Sequence, residues 1–141
     1  MGGITNSDLY DWCRIPYEEL ENHPHLRIPF RVCAGPAEMG QLMAREIADE
    51  IAAKDAAGCQ TRAIIPCGPS GWYRPFTDLI NAEGVSLRGL VVFHMDECLD
   101  WEGRELPRAH PYSFRGFMER HFYNPVRPEL AVPEGQRHWL A

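Results

Sequence analysis

The chain has 141 residues, 45% of them hydrophobic and 24% charged, the balance of a globular chain able to bury a core and unlike that of a disordered or fibrous one. A formal net charge of −6 excludes the broad basic surface that a nucleic acid or an anionic membrane requires, so an anionic ligand has to be held locally, by backbone donors or a few cations. No run approaches roughly 18 consecutive apolar residues, and Met1 to Asp8 carries neither a basic region nor an apolar stretch, which predicts a cytoplasmic protein with no membrane partner.

Residues 1–29 are polar and punctuated by Pro16, Pro24 and Pro29. They read as an N-terminal extension with two short helices, one over Ser7 to Cys13 and one starting at Pro16. Residues 30–141 read as the domain proper. It opens with a short strand, Phe30 to Ala34, and a helix from Pro36 to Ala57, whose apolar residues Met39, Leu42, Met43, Ile47 and Ile51 recur at three and four. Gly58 supplies the helix stop.

A strand over Thr61 to Pro66 follows, then the turn Cys67-Gly-Pro-Ser-Gly71, then a helix from Trp72 to Ala82 with Gly84 beyond it. The run Leu90 to Phe93 predicts a second strand, Gly89 to Met95, apolar enough for burial on both faces and ending in Asp96-Glu97. After a polar loop, a helix beginning at Pro111 carries Phe114, Phe117, Met118 and Phe122 on one face and stops at Pro125. Arg137 to Ala141 reads as the start of another strand. Strands alternating with helices imply parallel β-α-β units, hence an α/β fold with a three-layer, open, mainly parallel sheet of Rossmann-like kind. In such sheets ligands sit at the carboxyl ends of strands, where both the glycine turn and the acidic pair fall.

The turn places Gly68, Ser70 and Gly71 between a buried strand and a helix start, where free N–H groups favour an anion such as phosphate. It is neither a Walker A sequence nor a full G-x-G-x-x-G, so on its own it fits an ordinary strand-to-helix turn equally well. Asp96 and Glu97 stand at the mouth of the sheet, where partial desolvation makes a carboxylate a better base; a helix cap or a solvated loop carboxylate is the alternative. His94 and His121 read as structural hydrogen-bonders and the aromatic stripe as core. Cys67 and Cys98 lack a histidine partner for nucleophilic work. The five cysteines form no C-x-x-C pair and the six histidines no metal-ligand spacing, so no metal is expected.

Three segments in order, Ile64-Ile-Pro-Cys-Gly-Pro-Ser-Gly71, Val91-Val-Phe-His-Met-Asp-Glu97 and His110-Pro-Tyr-Ser-Phe-Arg-Gly-Phe-Met118, resemble the N-terminal half of glucosamine-6-phosphate deaminases. The resemblance spans Arg31 to the C-terminus. It implies that Gly68, Ser70 and Gly71 bind a sugar phosphate, that Asp96 is the base moving the C2 proton of an aldose–ketose isomerisation, and that Glu97 is a site neighbour. It implies an enzyme releasing ammonia from an amino-sugar phosphate without organic cofactor or metal. Pro69 stands where the family often has a second glycine and removes one backbone donor. His94 and Cys98 replace the usual Asn and Tyr. The family's later Gly-rich motif, with its Asp and ring-opening His, does not occur before Ala141, so a partial chain is expected, with an unpaired sheet edge that favours homo-oligomers. The rivals are a 6-phosphogluconolactonase-type hydrolase, against which His110-Pro-x-Ser113 speaks, and a non-catalytic sugar-phosphate-sensing module.

Overall fold

In a computed structural model, which describes Thr5–Leu140, the chain divides into two compact units between Ala34 and Gly35. The first unit holds helix α1 (Asn6–Trp12) and a 3-10 segment, Tyr17–Asn22. Thr5 caps α1, its hydroxyl accepting from the Asp8 N–H while the Asp8 carboxylate accepts from the Thr5 N–H, a reciprocal capping box. The strand expected over Phe30 to Ala34 does not form. This unit offers it no second strand to pair with, and the Val32 N–H is taken instead by the Glu21 carboxylate at 2.6 Å.

The second unit runs α2 (Pro36–Ala56), β1 (Thr61–Ile65), α3 (Tyr73–Glu83), β2 (Leu90–His94), α4 (Phe114–Met118), a π-helical turn (Glu119–Tyr123) and β3 (Arg137–His138). The three strands are parallel in the order β1-β2-β3, with Thr61 opposite Leu90 and Val92 opposite Arg137. Because register partners in a parallel pair share a face, Ile65, Leu90, Val92 and His94 point one way, into a core closed by α2, α3 and the α4–π segment. Arg62, Ile64 and Phe93 point the other way and are exposed, Ile64 by 70% and Phe93 by 43%. The expected open parallel α/β sheet is therefore present, with one helical layer built on it in this unit. Burial of β2 on both faces is not: only Val91 of its outer face is covered.

Helix α2 ends one residue before the expected Ala57, and of its expected apolar stripe Ile51 is buried and Met43 and Ile47 pack against the core. Gly40, Ala44, Ala48 and Ile51 face inward, while Met39 is exposed. Small residues on that stripe let α2 approach closely. A Cβ at Gly40 would stand 2.5 Å from the Gly71 carbonyl oxygen, so α2 packs directly against the glycine turn. Beneath the same turn, Trp72, Tyr73, Phe76 and Phe122 form an aromatic block. Phe76 and Phe122 are stacked at 5.5 Å and Trp72 meets both edge-on. Helix α3 stops at Gly84, whose φ of 69° is the left-handed conformation that glycine adopts without strain. Helix α4 starts later than Pro111, because Ser113 is its N-cap and accepts from the Gly116 N–H at 3.1 Å.

Candidate functional site

Parallel pairing of β1 and β2 brings their carboxyl ends side by side, and the Met95 N–H continues the ladder by donating to the Ile65 carbonyl at 3.1 Å. Two residues past each strand end the segments meet again: the Cys67 N–H donates to Asp96 Oδ1 at 2.9 Å. Asp96 is half-buried. One oxygen thus fixes the carboxylate and the other is left without a protein donor among the described residues.

Glu97 is held quite differently. Its Oε1 accepts from the Phe114 N–H at 2.8 Å and the Cys98 N–H at 2.9 Å, and its Oε2 from the Arg115 N–H at 2.9 Å. Two of these amides are first-turn donors of α4 that no helical carbonyl can satisfy, so Glu97 caps that helix together with Ser113. The motif pair Met-Asp-Glu and His-Pro-x-Ser is one structural device. Strand β2 ends in the carboxylate, and the later motif supplies the helix end it clamps. Gly116 completes it, since a Cβ there would lie 1.9 Å from the Arg108 carbonyl oxygen.

Gly68 has φ 154°, a conformation that favours glycine, and Pro69 brings no N–H. Tyr73, buried at the start of α3, donates its hydroxyl to the Pro66 carbonyl at 2.6 Å. Burial, reinforced by Cys67 and Asp96, holds that phenol well above its ordinary pKa, so it stays a neutral clamp. The N–H groups of Ser70, Gly71 and Trp72 have no protein acceptor among the described residues. Three adjacent free amides at a helix start can donate to one oxyanion.

Cys67 is no nucleophile here. Burial first, then the negative charge of Asp96 and Glu97, pushes its thiol up to about 11. His94, which stands where the related family usually has Asn, bonds the Tyr123 hydroxyl through Nε2 at 2.9 Å and stacks on Trp139 at 3.8 Å. Burial depresses its pKa from 6.5 to about 4, and it stays neutral, in the structural role its sequence suggested. Asp96, Gly68, Ser70 and Gly71 are thus brought to one sheet edge, with Glu97 behind them. The buttress at Gly40 was not read from the sequence, although a glycine inside a helical pattern was a signal for it. The Tyr73 clamp had no signal in the sequence.

An open parallel sheet with an anchored carboxylate and a glycine turn at its carboxyl edge defines an α/β domain, and its fold is shared with a solved enzyme structure. A monomeric glucosamine-6-phosphate deaminase of the NagB superfamily superposes with a TM-score of 0.62 at 22% identity, over 76% of this chain and 40% of that one. No protein-family model matches the chain. The glucosamine-6-phosphate deaminase of Erwinia tasmaniensis is 34% identical over 94 residues, which cover 64% of this chain and 34% of that protein. Over this stretch the chain is similar to a glucosamine-6-phosphate deaminase, and it spans about a third of the length of the curated protein it matches. Among the described residues no helix is long and apolar enough to cross a membrane.

Proposed function

We propose that a protein carrying this segment converts an amino-sugar 6-phosphate to a ketose phosphate with release of ammonia. The observation that supports this reading is an anchored carboxylate with one free oxygen, Asp96, beside a turn with three unpaired amides. The substrate phosphate lies on the turn of Gly68, Ser70 and Gly71. Asp96 takes the proton from C2 of the open-chain sugar, and the C–H electron pair becomes a C1–C2 double bond as the C1 oxygen gains a proton. Return of a proton to C1 leaves an iminium at C2, water adds there, and ammonia departs. These steps are proton transfers and a water addition, so they draw on no organic cofactor or metal. Glu97 acts as a positioning residue through α4. The same reading makes residues 1–29 an extension, residues 30–141 part of the catalytic domain, and the protein cytoplasmic.

The test is Asp96→Asn in an active protein that contains this segment. The amide keeps an oxygen for the Cys67 N–H but cannot accept the proton. Turnover is expected to fall by about 10²–10⁴-fold while substrate binding persists. Turnover within about threefold of the parent would remove Asp96 from the chemistry.

A further inference from the structure

At the amino ends of β2 and β3 lies a cavity of about 460 Å³ whose charged lining is Arg88 and Arg137. The five-residue backbone of β2, about 13 Å long at about 3.3 Å a residue, lies between Arg88 and Asp96. In a chain of net charge −6 this lining holds no carboxylate, and neither guanidinium has a carboxylate partner among the described residues. Arg137 sits where strands place apolar side chains. As the register partner of the fully buried Val92 it shares the packed face of the sheet, and it is itself half-buried. Its Nε and Nη2 donate to the Val132 carbonyl at 3.0 and 2.6 Å, and its guanidinium carbon lies 4.2 Å from the centre of the Tyr123 ring. Nη1 meets no acceptor among the described residues. The Gln136 side-chain amide donates to the Arg88 and Leu90 carbonyls at 3.0 and 2.7 Å, which ties the segment carrying one arginine to the segment carrying the other.

We propose that this cavity binds a small dicarboxylate, one carboxylate on each guanidinium. Two unpaired cations in one cavity repel each other, and Arg137 has lost part of its hydration without gaining a counter-charge; a dianion offsets both. The lining also selects among dianions. Asn124, Val126 and Ala131 donate their amides inside the protein, Pro128 and Pro133 have none to donate, and the Tyr123 hydroxyl is bonded to His94. The lining therefore lacks the converging amides and hydroxyls of a phosphate cradle, whereas a guanidinium fork matches the two oxygens of a flat carboxylate. Pro128 and Ala131 supply an apolar wall for the methylenes between the two ends, and the volume falls in the range of about 300–1,000 Å³ common to small-molecule sites. This site is independent of the proposed reaction.

The 141-residue chain, followed by amide and side-chain NMR, is titrated with succinate, with glutarate, with the neutral succinamide and with inorganic phosphate. At least one dicarboxylate is expected to shift the Arg88 and Arg137 side chains and the Asn124 amide, whereas succinamide and phosphate leave them unmoved. Arg88→Gln, at an exposed position, raises the dicarboxylate Kd about tenfold or more, Arg88→Lys recovers part of that loss, and Arg62→Gln, an exposed charge on the outer sheet face, changes it less than about twofold. Arg137→Gln is expected to weaken binding as much, with its thermal midpoint read on the same sample; where that variant does not fold, Arg88→Gln decides. The inference is overturned if neither dicarboxylate moves these signals, if phosphate or succinamide moves them as strongly, or if Arg88→Gln keeps the parent Kd.

Discussion

Asp96 and Glu97 are neighbours in sequence with opposite bonding. Asp96 spends one oxygen on the Cys67 amide and keeps the other, while Glu97 gives both oxygens to three amides. Charge-assisted bonds of this kind are worth about 1.5–3 kcal/mol each when buried, less when solvent reaches them. Glu97→Gln, which sets an NH₂ group against an amide donor, is therefore expected to lower unfolding free energy by about 1–3 kcal/mol in urea titration and to leave the Asp96 carboxylate in place. An unchanged urea midpoint would contradict the clamp. That both carboxylates stand at the sheet mouth was legible from the apolar run before them. Which one is free was not, because their donors lie 29 residues back and 17 residues on, and sequence does not show which distant amide a side chain will meet.

Packing of α2 against the glycine turn ties helix position to the shape of the proposed anion cradle. Gly40→Ala would force its Cβ into the Gly71 carbonyl, since 2.5 Å is far inside contact distance. In an exposed helix the same change would stabilise by about 1 kcal/mol. Here it is expected to cost about 1–3 kcal/mol and to weaken phosphate binding as the turn shifts, measured by thermal unfolding and phosphate titration of one sample. A gain in stability would show that α2 does not press on the turn. The junction of β2, β3 and the π-helical turn carries a second expectation. Folding lowers the His94 pKa from 6.5 to about 4, so between those values the unfolded chain binds the extra proton. The resulting stability is complete above about pH 6.5 and is lost as pH falls toward 4. Asp96, Arg115 and Arg137 are the charges that act on this ring, and burial outweighs them. His94→Gln should flatten the decline of the urea midpoint between pH 6.5 and 4.5, and a profile identical to the parent's would assign the acid sensitivity to other groups. Strands and helices around the turn were legible from period and glycine stops. The stripe of α2 was legible in Met43, Ile47 and Ile51, but not the share of Gly40, Ala44 and Ala48, where closeness of approach outweighs hydrophobicity. The late start of α4 is set by Ser113 and Glu97, a tertiary cap that periodicity cannot show.

One face of the sheet is packed and the other leaves Ile64 and Phe93 exposed, with Phe93 stacked on His138 at 4.6 Å. Strand β1 pairs with β2 alone among the described residues, so the 141-residue chain presents an open strand edge beside apolar side chains. It is expected to self-associate in sedimentation at tens of micromolar, and Ile64→Lys, a charge on that edge, to shift it toward monomer. Equal monomer fractions for the two would place the association elsewhere. The same layered plan sets both candidate functional features at the sheet's carboxyl edge, and the proposed reaction turns on the proton at C2. The direct measurement follows C2-deuterated glucosamine 6-phosphate by NMR at saturating concentration, in an active protein that contains this segment and in its Asp96→Asn variant. Deuterium leaves C2 in the parent, and in the variant its loss is expected to slow by about 10²–10⁴-fold with phosphate binding intact. Loss of deuterium from the variant at the parent's rate would contradict the account and leave Asp96 as a carboxylate that only holds the Cys67 amide.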